Sequence, residues 1–583
     1  MVVNGTPDAA AAAGRVAVAA PAPSAPPPPP PPASVHPASR TAGAPWLDRP
    51  TAGRVIALGL AVVASVVCTW GIATPWPWSD EGATYLALQR GWTQLPVLWQ
   101  GPDAPMVPYY YLAKSWVAAL GSLWPALSTL VAVRLLSAAA GVATVVALYA
   151  LVARNAGRLA GVLAGLVLLS LPGFIRYAQE GRPYALLALA ATISWLLGDL
   201  RLRPGRAALG FTRLDPTERT PAARPHRGGF GAATAHALSL AAVGVIHSFG
   251  ALQWPAQLLA WLVAPGSRGV RGRRILSILV TLAAAAVLAG GQLLISAGHG
   301  TGPEELAAHR LVDPATIGAQ LLRGISATYA PLASALVLLL ALVGLFWKSQ
   351  PGGRHQFPLS LLIWLVVPLG LGLAVGVMRT NLFRLRYWIA FLPPLAALAA
   401  LGLVAIAGLV AGWVGQSRPA GPASGSPGAR MAAAVTVAVL LTVHVVAVLP
   451  AQRHVRAPGG HSENLAGVFA AIAATRAEYP GVRVVITKGN GTIGAADPAL
   501  MADNPLSRIH PAQPTVYSTP PSAASVRDAL AGQRYLLWIY RGTVTSAEAA
   551  QQIPAALADL HPTVLHATPA GKAWTAVLLE LPG

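Results

Sequence analysis

Between residues 54 and 450 the chain runs through about eleven apolar segments, and no other feature constrains its fold so tightly. They fall near 54–75, 127–152, 159–174, 184–200, 233–249, 251–264, 275–295, 330–347, 357–377, 387–413 and 431–450. In lipid each segment must satisfy its own backbone hydrogen bonds, so each is read as an α-helix. Leu171-Pro172-Gly173 marks a helix end at the interface. Composition agrees: residues are 54% hydrophobic and 10% charged, with mean hydropathy +0.55, against a charged share of about 25% in soluble domains. The expected fold class is a mostly α, polytopic membrane protein.

The formal charge is +21. A nucleic-acid binder would gather such charge on one face. Here it sits in short loops, so no nucleic-acid partner is expected and the charge reports topology. Arg154 and Arg158; the seven arginines from Arg201 to Arg227; Arg268, Arg271, Arg273 and Arg274; Lys348 and Arg354; and Arg418 and Arg430 occupy alternate loops. The positive-inside bias makes those loops cytoplasmic. It leaves 76–126, 175–183, the turn near 250, 296–329, 378–386 and everything after 450 on the outer face of the cell membrane.

Residues 1–50 are Ala/Pro-rich, include the run Pro26–Pro32, and lack the charged start and apolar core of an export signal. A disordered cytoplasmic tail is expected there. Residues 51–450 form the membrane domain. Cys68, the single cysteine, lies in the first apolar segment, so no intrachain disulfide is available. Residues 451–583 alternate strand-like runs (Val482–Ile486, Tyr535–Tyr540, Trp574–Leu581) with helical patterns at 463–478, 523–532 and 545–560. That alternation predicts a small extracytoplasmic α/β domain. It carries no glycine-rich phosphate loop and no metal-spaced His/Cys cluster, so acceptor binding or a lid over the membrane site are the roles considered for it.

The chain has 20 Asp and Glu in 583 residues, and two of them, Asp80 and Glu81, stand together just beyond the first apolar segment. Carboxylates there suit a general base, a metal ligand or a sugar-hydroxyl acceptor. Ser79-Asp80-Glu81 ahead of a short amphipathic pattern suits a helix N-terminal cap as well. The loop 76–126, about fifty residues, is long for a connection and reads as functional. It also holds Tyr85, Arg90, Trp92, Trp99, Asp103 and Tyr109-Tyr110-Tyr111. Its aromatics fit an interface belt and sugar stacking equally. The next outer segment runs from Phe174 to Tyr184 and packs Arg176, Tyr177, Gln179, Glu180 and Arg182 together. The segment from Met378 to Trp388 carries Arg379, Arg384 and Arg386. Arginines on the outer face oppose the positive-inside bias. Their planar forks suit phosphate oxygens, with lipid headgroups or pairing to Asp80, Glu81 or Glu180 as the alternatives. His247, at the outer end of a span, is either a cavity residue or a satisfied core histidine.

These motifs run in a definite order. An apolar span leads into DE-x-x-x-Y, then Pro-Tyr-Tyr-Tyr-Leu, then a span opening with Arg134. Leu-Pro-Gly-Phe-Ile-Arg-Tyr-Ala-Gln-Glu-Gly-Arg-Pro-Tyr follows, and later Arg-Tyr-Trp-x-x-x-x-Pro-Pro. Over roughly residues 54–400 the chain resembles the GT-C superfamily of membrane glycosyltransferases, most nearly the branch with protein O-mannosyltransferases and lipid A aminoarabinose transferases. The resemblance implies transfer of a sugar from a polyprenyl-phosphate donor to a glycan, lipid or protein acceptor at the outer face. Asp80 would be the general base, and Glu81 would orient the acceptor or tune Asp80. Arg182, Arg379, Arg384 and Arg386 would hold the donor phosphate. Tyr85, Asp103, Tyr109, Tyr177, Gln179, Glu180, Tyr184 and His247 would line the cavity. Direct displacement would invert the anomeric carbon without a nucleotide. Where the family often has His-Pro-Pro-Leu this chain reads Ala104-Pro105-Met106-Val107-Pro108. Some relatives bind a divalent metal through Glu and His; the candidates here are Asp103, His299, Glu304 and Glu305, with no diagnostic spacing. A transporter or lipid-handling protein, and an inactive scaffold, are the competing readings. The spans are almost free of Asp, Glu and Lys, which speaks against the first; the intact acid pair speaks against the second.

Overall fold

Proline and glycine, to which a hydropathy window is blind, decide where the apolar segments become helices. The computed structural model describes residues 50–203, 229–265, 267–299, 317–319, 321–322, 325, 330–347, 356–378, 385–416, 427–487, 490–504, 523–571 and 573–582. The helices of its first part are α1 (Pro50–Thr69), α2 (Ser79–Gln89), α3 (Val107–Leu123), α4 (Thr129–Ala156), α5 (Arg158–Ser170), α6 (Pro172–Ala178), α7 (Tyr184–Leu202), α8 (Gly229–Ile246), α9 (Gln253–Val263), α10 (Arg268–His299), α11 (Pro331–Leu345), α12 (Gln356–Met378), α13 (Leu392–Gln416) and α14 (Pro427–Val455).

Among the described residues seven of these can cross a bilayer by length and composition: α1, α4, α7, α10, α12, α13 and α14. The pair α5–α6, bent by 74°, makes an eighth if counted as one broken span. The bend follows from Pro172, which lacks an N–H and pushes Leu171 to extended backbone at φ −73°, ψ 115°. The segments 233–249 and 330–347 become the shorter apolar helices Phe230–Ile246 and Pro331–Leu345. Segment 251–264 yields α9, whose 11 residues span about 16 Å, half a hydrocarbon core. The about eleven segments expected from hydropathy thus correspond to seven or eight spans among the described residues.

Helix α4 packs against α1, α5 and α7, and α13 packs against α11, α14 and α5. Small residues set the closest of these contacts. A Cβ on Gly344 of α11 would overlap the carbonyl of Leu398 on α13, and one on Gly402 of α13 would overlap the carbonyl of Leu340.

The last part comprises α15 (Ala466–Glu478), β1 (Arg483–Ile486), α16 (Asn490–Ala496), α17 (Pro498–Asp503), α18 (Ala523–Leu530), β2 (Tyr535–Arg541), α19 (Ser546–Gln551), α20 (Ala555–Ala558), β3 (Thr563–Pro569) and β4 (Trp574–Glu580). The sheet order is β1-β2-β4-β3. Strands β1 and β2 are parallel, with Val485 opposite Trp538; β4 runs antiparallel to both neighbours, with Leu537 opposite Leu578. Both sheet faces are covered, Val484, Leu537 and Leu578 turning to one apolar cluster and Val485, Trp538 and Val577 to the other. Strand β3 escaped the sequence reading because it is a largely exposed edge strand with a bulge between Val564 and His566. The helix expected over 545–560 is two short ones, with Pro554 the N-cap of the second.

Residues 47–583 form one compact unit. The Trp76 ring stacks on Phe469 of α15 at 5.3 Å, and the Trp76 backbone N–H donates to the Pro458 carbonyl at 2.8 Å. Helix α16 lies across α2: a Cβ on Gly82 would come within 2.5 Å of the Thr492 nitrogen, and one on Gly491 would overlap the Gly82 carbonyl. The soluble part therefore rests directly on the helix that carries the acid pair.

Candidate active site

Helix α2 begins at Ser79 with Trp78 at the N-cap, and no side chain caps it. The acid pair is therefore not the cap that Ser79-Asp80-Glu81 could have made. Both carboxylates still fall in the first turn, where the helix dipole favours negative charge. Their surroundings differ sharply.

Glu81 points inward and is fully buried. Its two oxygens take a bidentate pair from Arg134 Nε and Nη2, each at 2.7 Å, and Oε1 also accepts the Gly181 N–H at 2.8 Å. Arg134 spends its remaining nitrogen, Nη1, on the carbonyls of Ile72 and Pro75 at 2.8 and 2.9 Å. Burial alone would raise the Glu81 pKa, but Arg134 outweighs it and holds the carboxyl well below the usual range. With no exposed oxygen, Glu81 ties α2 to α4 and to the 179–183 turn. It is a positioning residue rather than one that reaches an acceptor.

Asp80 keeps 20% of its side chain exposed. Its Oδ2 lies 3.5 Å from Arg386 Nε and accepts from the Tyr184 hydroxyl at 3.4 Å. Arg386, 24% exposed, lies over the rings of Trp78 and Tyr387, and its Nε has no hydrogen-bond partner. Behind the pair stands an aromatic wall. Tyr177 meets Tyr184 edge-on at 5.5 Å, His247 lies 4.7 Å from Tyr387, and Phe249 stacks on Tyr387 at 5.4 Å. Arg182 is buried and donates Nη1 to the Asp80 carbonyl, the Thr84 hydroxyl and the Tyr110 hydroxyl at 3.2, 3.2 and 3.3 Å. It thus grips the backbone of Asp80 rather than its carboxylate.

Beside this mouth sits a concentration of unsatisfied polar atoms. Both oxygens of buried Glu180 lack a hydrogen-bond partner, with Arg176 Nε 3.7 Å away. Burial pushes the Glu180 carboxyl up to about 8. Gln179 donates to the carbonyls of Cys68 and Trp70, leaving its own oxygen free. Tyr109 is buried with its hydroxyl unpartnered. From the stretch after α14 comes His461, buried, 3.8 Å from Glu81, with neither ring nitrogen hydrogen-bonded. Burial pushes its pKa down to about 4, so the ring is neutral at pH 7. Ser462, held at φ 82°, accepts from Arg176 at 3.0 Å.

The structure thus gathers Asp80, Glu81, Tyr109, Tyr177, Gln179, Glu180, Arg182, Tyr184, His247 and Arg386 around one place. Tyr85 packs in an apolar cluster with Tyr109 and Met501 under the soluble part. Burial pushes the Asp103 carboxyl up while the nearby Arg182 charge opposes it. Arg379, Arg384, Glu304, Glu305 and the His299 side chain lie outside the described residues. Among the described residues no three His, Cys, Asp or Glu side chains are arranged to hold a metal. Sequence reasoning missed Arg134, Tyr387, His461 and Ser462 as site residues. Arg134 was the one that signalled itself, as an arginine opening an apolar span; nothing local marks His461.

These helices, the bent α5–α6 pair and the small sheet make a fold that resembles the GT-C fold. The chain is similar to the crystal structure of ArnT from Cupriavidus metallidurans bound to undecaprenyl phosphate, with 15% identity and a TM-score of 0.51, covering 90% of this chain and 97% of that one. For ArnT in the apo state the figures are 15%, 0.52, 91% and 98%. The archaeal oligosaccharyltransferase AglB from Archaeoglobus fulgidus matches more loosely, at 12% identity and TM-score 0.48 over 83% of this chain and 69% of that one. No family model and no curated protein matches the chain.

Proposed function

We propose that this protein is an integral-membrane glycosyltransferase that moves a sugar from a polyprenyl-phosphate donor to an acceptor hydroxyl at the outer face. The observation that carries the reading is the pairing of a partly exposed carboxylate, Asp80, with a partly exposed guanidinium, Arg386, 3.5 Å away. A base and an anion-stabilising cation at one mouth are what glycosyl transfer needs. The fold shared with ArnT, solved bound to undecaprenyl phosphate, supports the choice of donor.

In this reading the acceptor oxygen forms a bond to the anomeric carbon as the bond from that carbon to phosphate oxygen breaks. The acceptor proton passes to Asp80, and the polyprenyl phosphate leaves with one more negative charge. Arg386 neutralises that charge, with Arg379 and Arg384 assigned beside it from the sequence. Arg182 and Glu81 position α2, and Tyr177, Tyr184, His247 and Tyr387 offer ring faces to the sugar. Attack opposite the leaving group inverts the anomeric carbon. Glycan, lipid and protein hydroxyls are all acceptors this chemistry could serve in cell-envelope synthesis.

The test uses the full chain in detergent or nanodiscs with radiolabelled polyprenyl-phosphate sugars and membrane acceptors. Product should form, and Asp80→Asn should abolish turnover while donor binding stays. Full activity in Asp80→Asn would remove Asp80 as the base.

A further inference from the structure

The stretch 456–465 carries the chain from α14 to α15, out of the membrane part and into the soluble part. Pro458-Gly459-Gly460 stops the helix and turns the backbone. Gly460 has no room for a side chain: a Cβ there would come within 2.2 Å of the Val455 carbonyl. The Gly460 N–H donates to the Ala457 carbonyl at 2.8 Å and the Ser462 N–H to the Gly459 carbonyl at 3.2 Å. This tight turn delivers His461 against Glu81.

Three consecutive side chains then face two different parts of the molecule. His461 is fully buried, 3.8 Å from Glu81. Ser462 accepts from Arg176 of α6 at 3.0 Å. Glu463, also buried, pairs with Arg541 at the end of β2 and accepts the Trp574 indole N–H of β4 at 3.2 Å. The first two belong to the mouth and the third to the sheet. Neither ring nitrogen of His461 is hydrogen-bonded, so bonds of its own do not hold the ring in place. Ser462 sits at φ 82°, a left-handed backbone that a residue with a Cβ keeps only where its surroundings impose it. The Gly460 turn imposes it from one side and the Glu463 anchor from the other.

We propose that residues 461–463 are a strap through which the soluble part sets the position of the acid pair. Glu463 anchors the strap in the sheet. His461, a positioning residue, fills the space beside Glu81 and keeps water from its ion pair with Arg134. Loosening the anchor lets the ring withdraw, water reaches Glu81, and α2 loses its fixed place together with Asp80. The catalytic half of this inference rests on reading Asp80 as the base; the structural half does not.

The test is hydrogen exchange of the full chain in nanodiscs, with glycosyl transfer followed in parallel. Arg541→Gln loosens the anchor from the sheet side, and His461→Ala removes the ring. Each should speed exchange of the α2 amides about tenfold and lower kcat more than it raises donor KM. His461→Phe, which restores the ring without its nitrogens, should return both readouts toward wild type. Arg534→Gln, at the opposite end of β2 in an exposed pair with Glu580, should change neither. Unaltered exchange in β2 and β4 certifies that Arg541→Gln is folded; if it is not, the two His461 variants carry the test. Wild-type α2 exchange in the folded variants, an equal effect of Arg534→Gln, or damage by His461→Phe equal to that of His461→Ala each overturns the proposal. Faster α2 exchange in the variants, beside a wild type that transfers no sugar, upholds the strap and overturns the glycosyl-transfer reading instead.

Discussion

Replacing Glu81 with Gln tests how much of the site rests on one buried charge. The substitution keeps size and one acceptor oxygen but removes the charge that answers Arg134. It also turns an amide NH₂ toward a guanidinium that can only donate. Two charge-assisted bonds of 2.7 Å are lost or weakened, and a buried cation is left without a counter-charge, facing the Ile72 and Pro75 carbonyls and one amide oxygen. Removing one partner of such a pair costs about 3–5 kcal/mol, or about two to three and a half decades in the ratio of folded to unfolded protein. The readouts are chemical denaturation of the purified protein and glycosyl transfer, since α2 carries Asp80 one residue away. Removing both charges at once, Glu81→Leu with Arg134→Met, should recover much of the stability. The pH dependence has a fixed sign. The folded-state pKa lies below the ordinary value, so the stabilisation is complete above about pH 4.3 and fades as pH falls toward the folded pKa. The deficit of Glu81→Gln should therefore shrink in acid. A variant as stable as wild type at pH 7, or a double variant no better than the single, would refute the ion-pair account.

Three further expectations follow from the same site. Gly491→Ala puts a methyl against the Gly82 backbone; overpacking costs about 1–3 kcal/mol, and kcat should fall more than donor affinity because α2 moves. Glu180 has its carboxyl pushed up to about 8 by burial, so the folded state binds the extra proton and stability falls as pH rises between the unfolded value and 8; Glu180→Gln should gain on wild type as pH rises toward 8 and gain no more beyond it, and parallel melting curves from pH 6 to 9 check it. Arg386→Lys keeps charge but loses the planar fork stacked on Trp78 and Tyr387; donor KM should rise, and an unchanged KM would take Arg386 out of the phosphate site.

The membrane architecture was legible because lipid imposes one rule on every span: close your own hydrogen bonds. What hydropathy could not resolve was continuity. Pro172 turns one apolar run into a bent pair, and α9 is too short to cross although its composition is right. The edge strand β3 was invisible for a different reason, since its largely exposed residues carry no core alternation.

The acid pair shows where local sequence stops being informative. Adjacent on the chain, Asp80 and Glu81 look alike in local sequence. What separates them is contributed from far away: Arg134 is 53 residues downstream of Glu81, and Arg386 is over three hundred beyond Asp80. Successive helical residues point about 100° apart, so if one carboxylate enters the core the next is carried to its edge. A buried arginine on α4 therefore does more than neutralise Glu81. By fixing which of two equal acids is buried in the core, it fixes which keeps a partly exposed carboxylate.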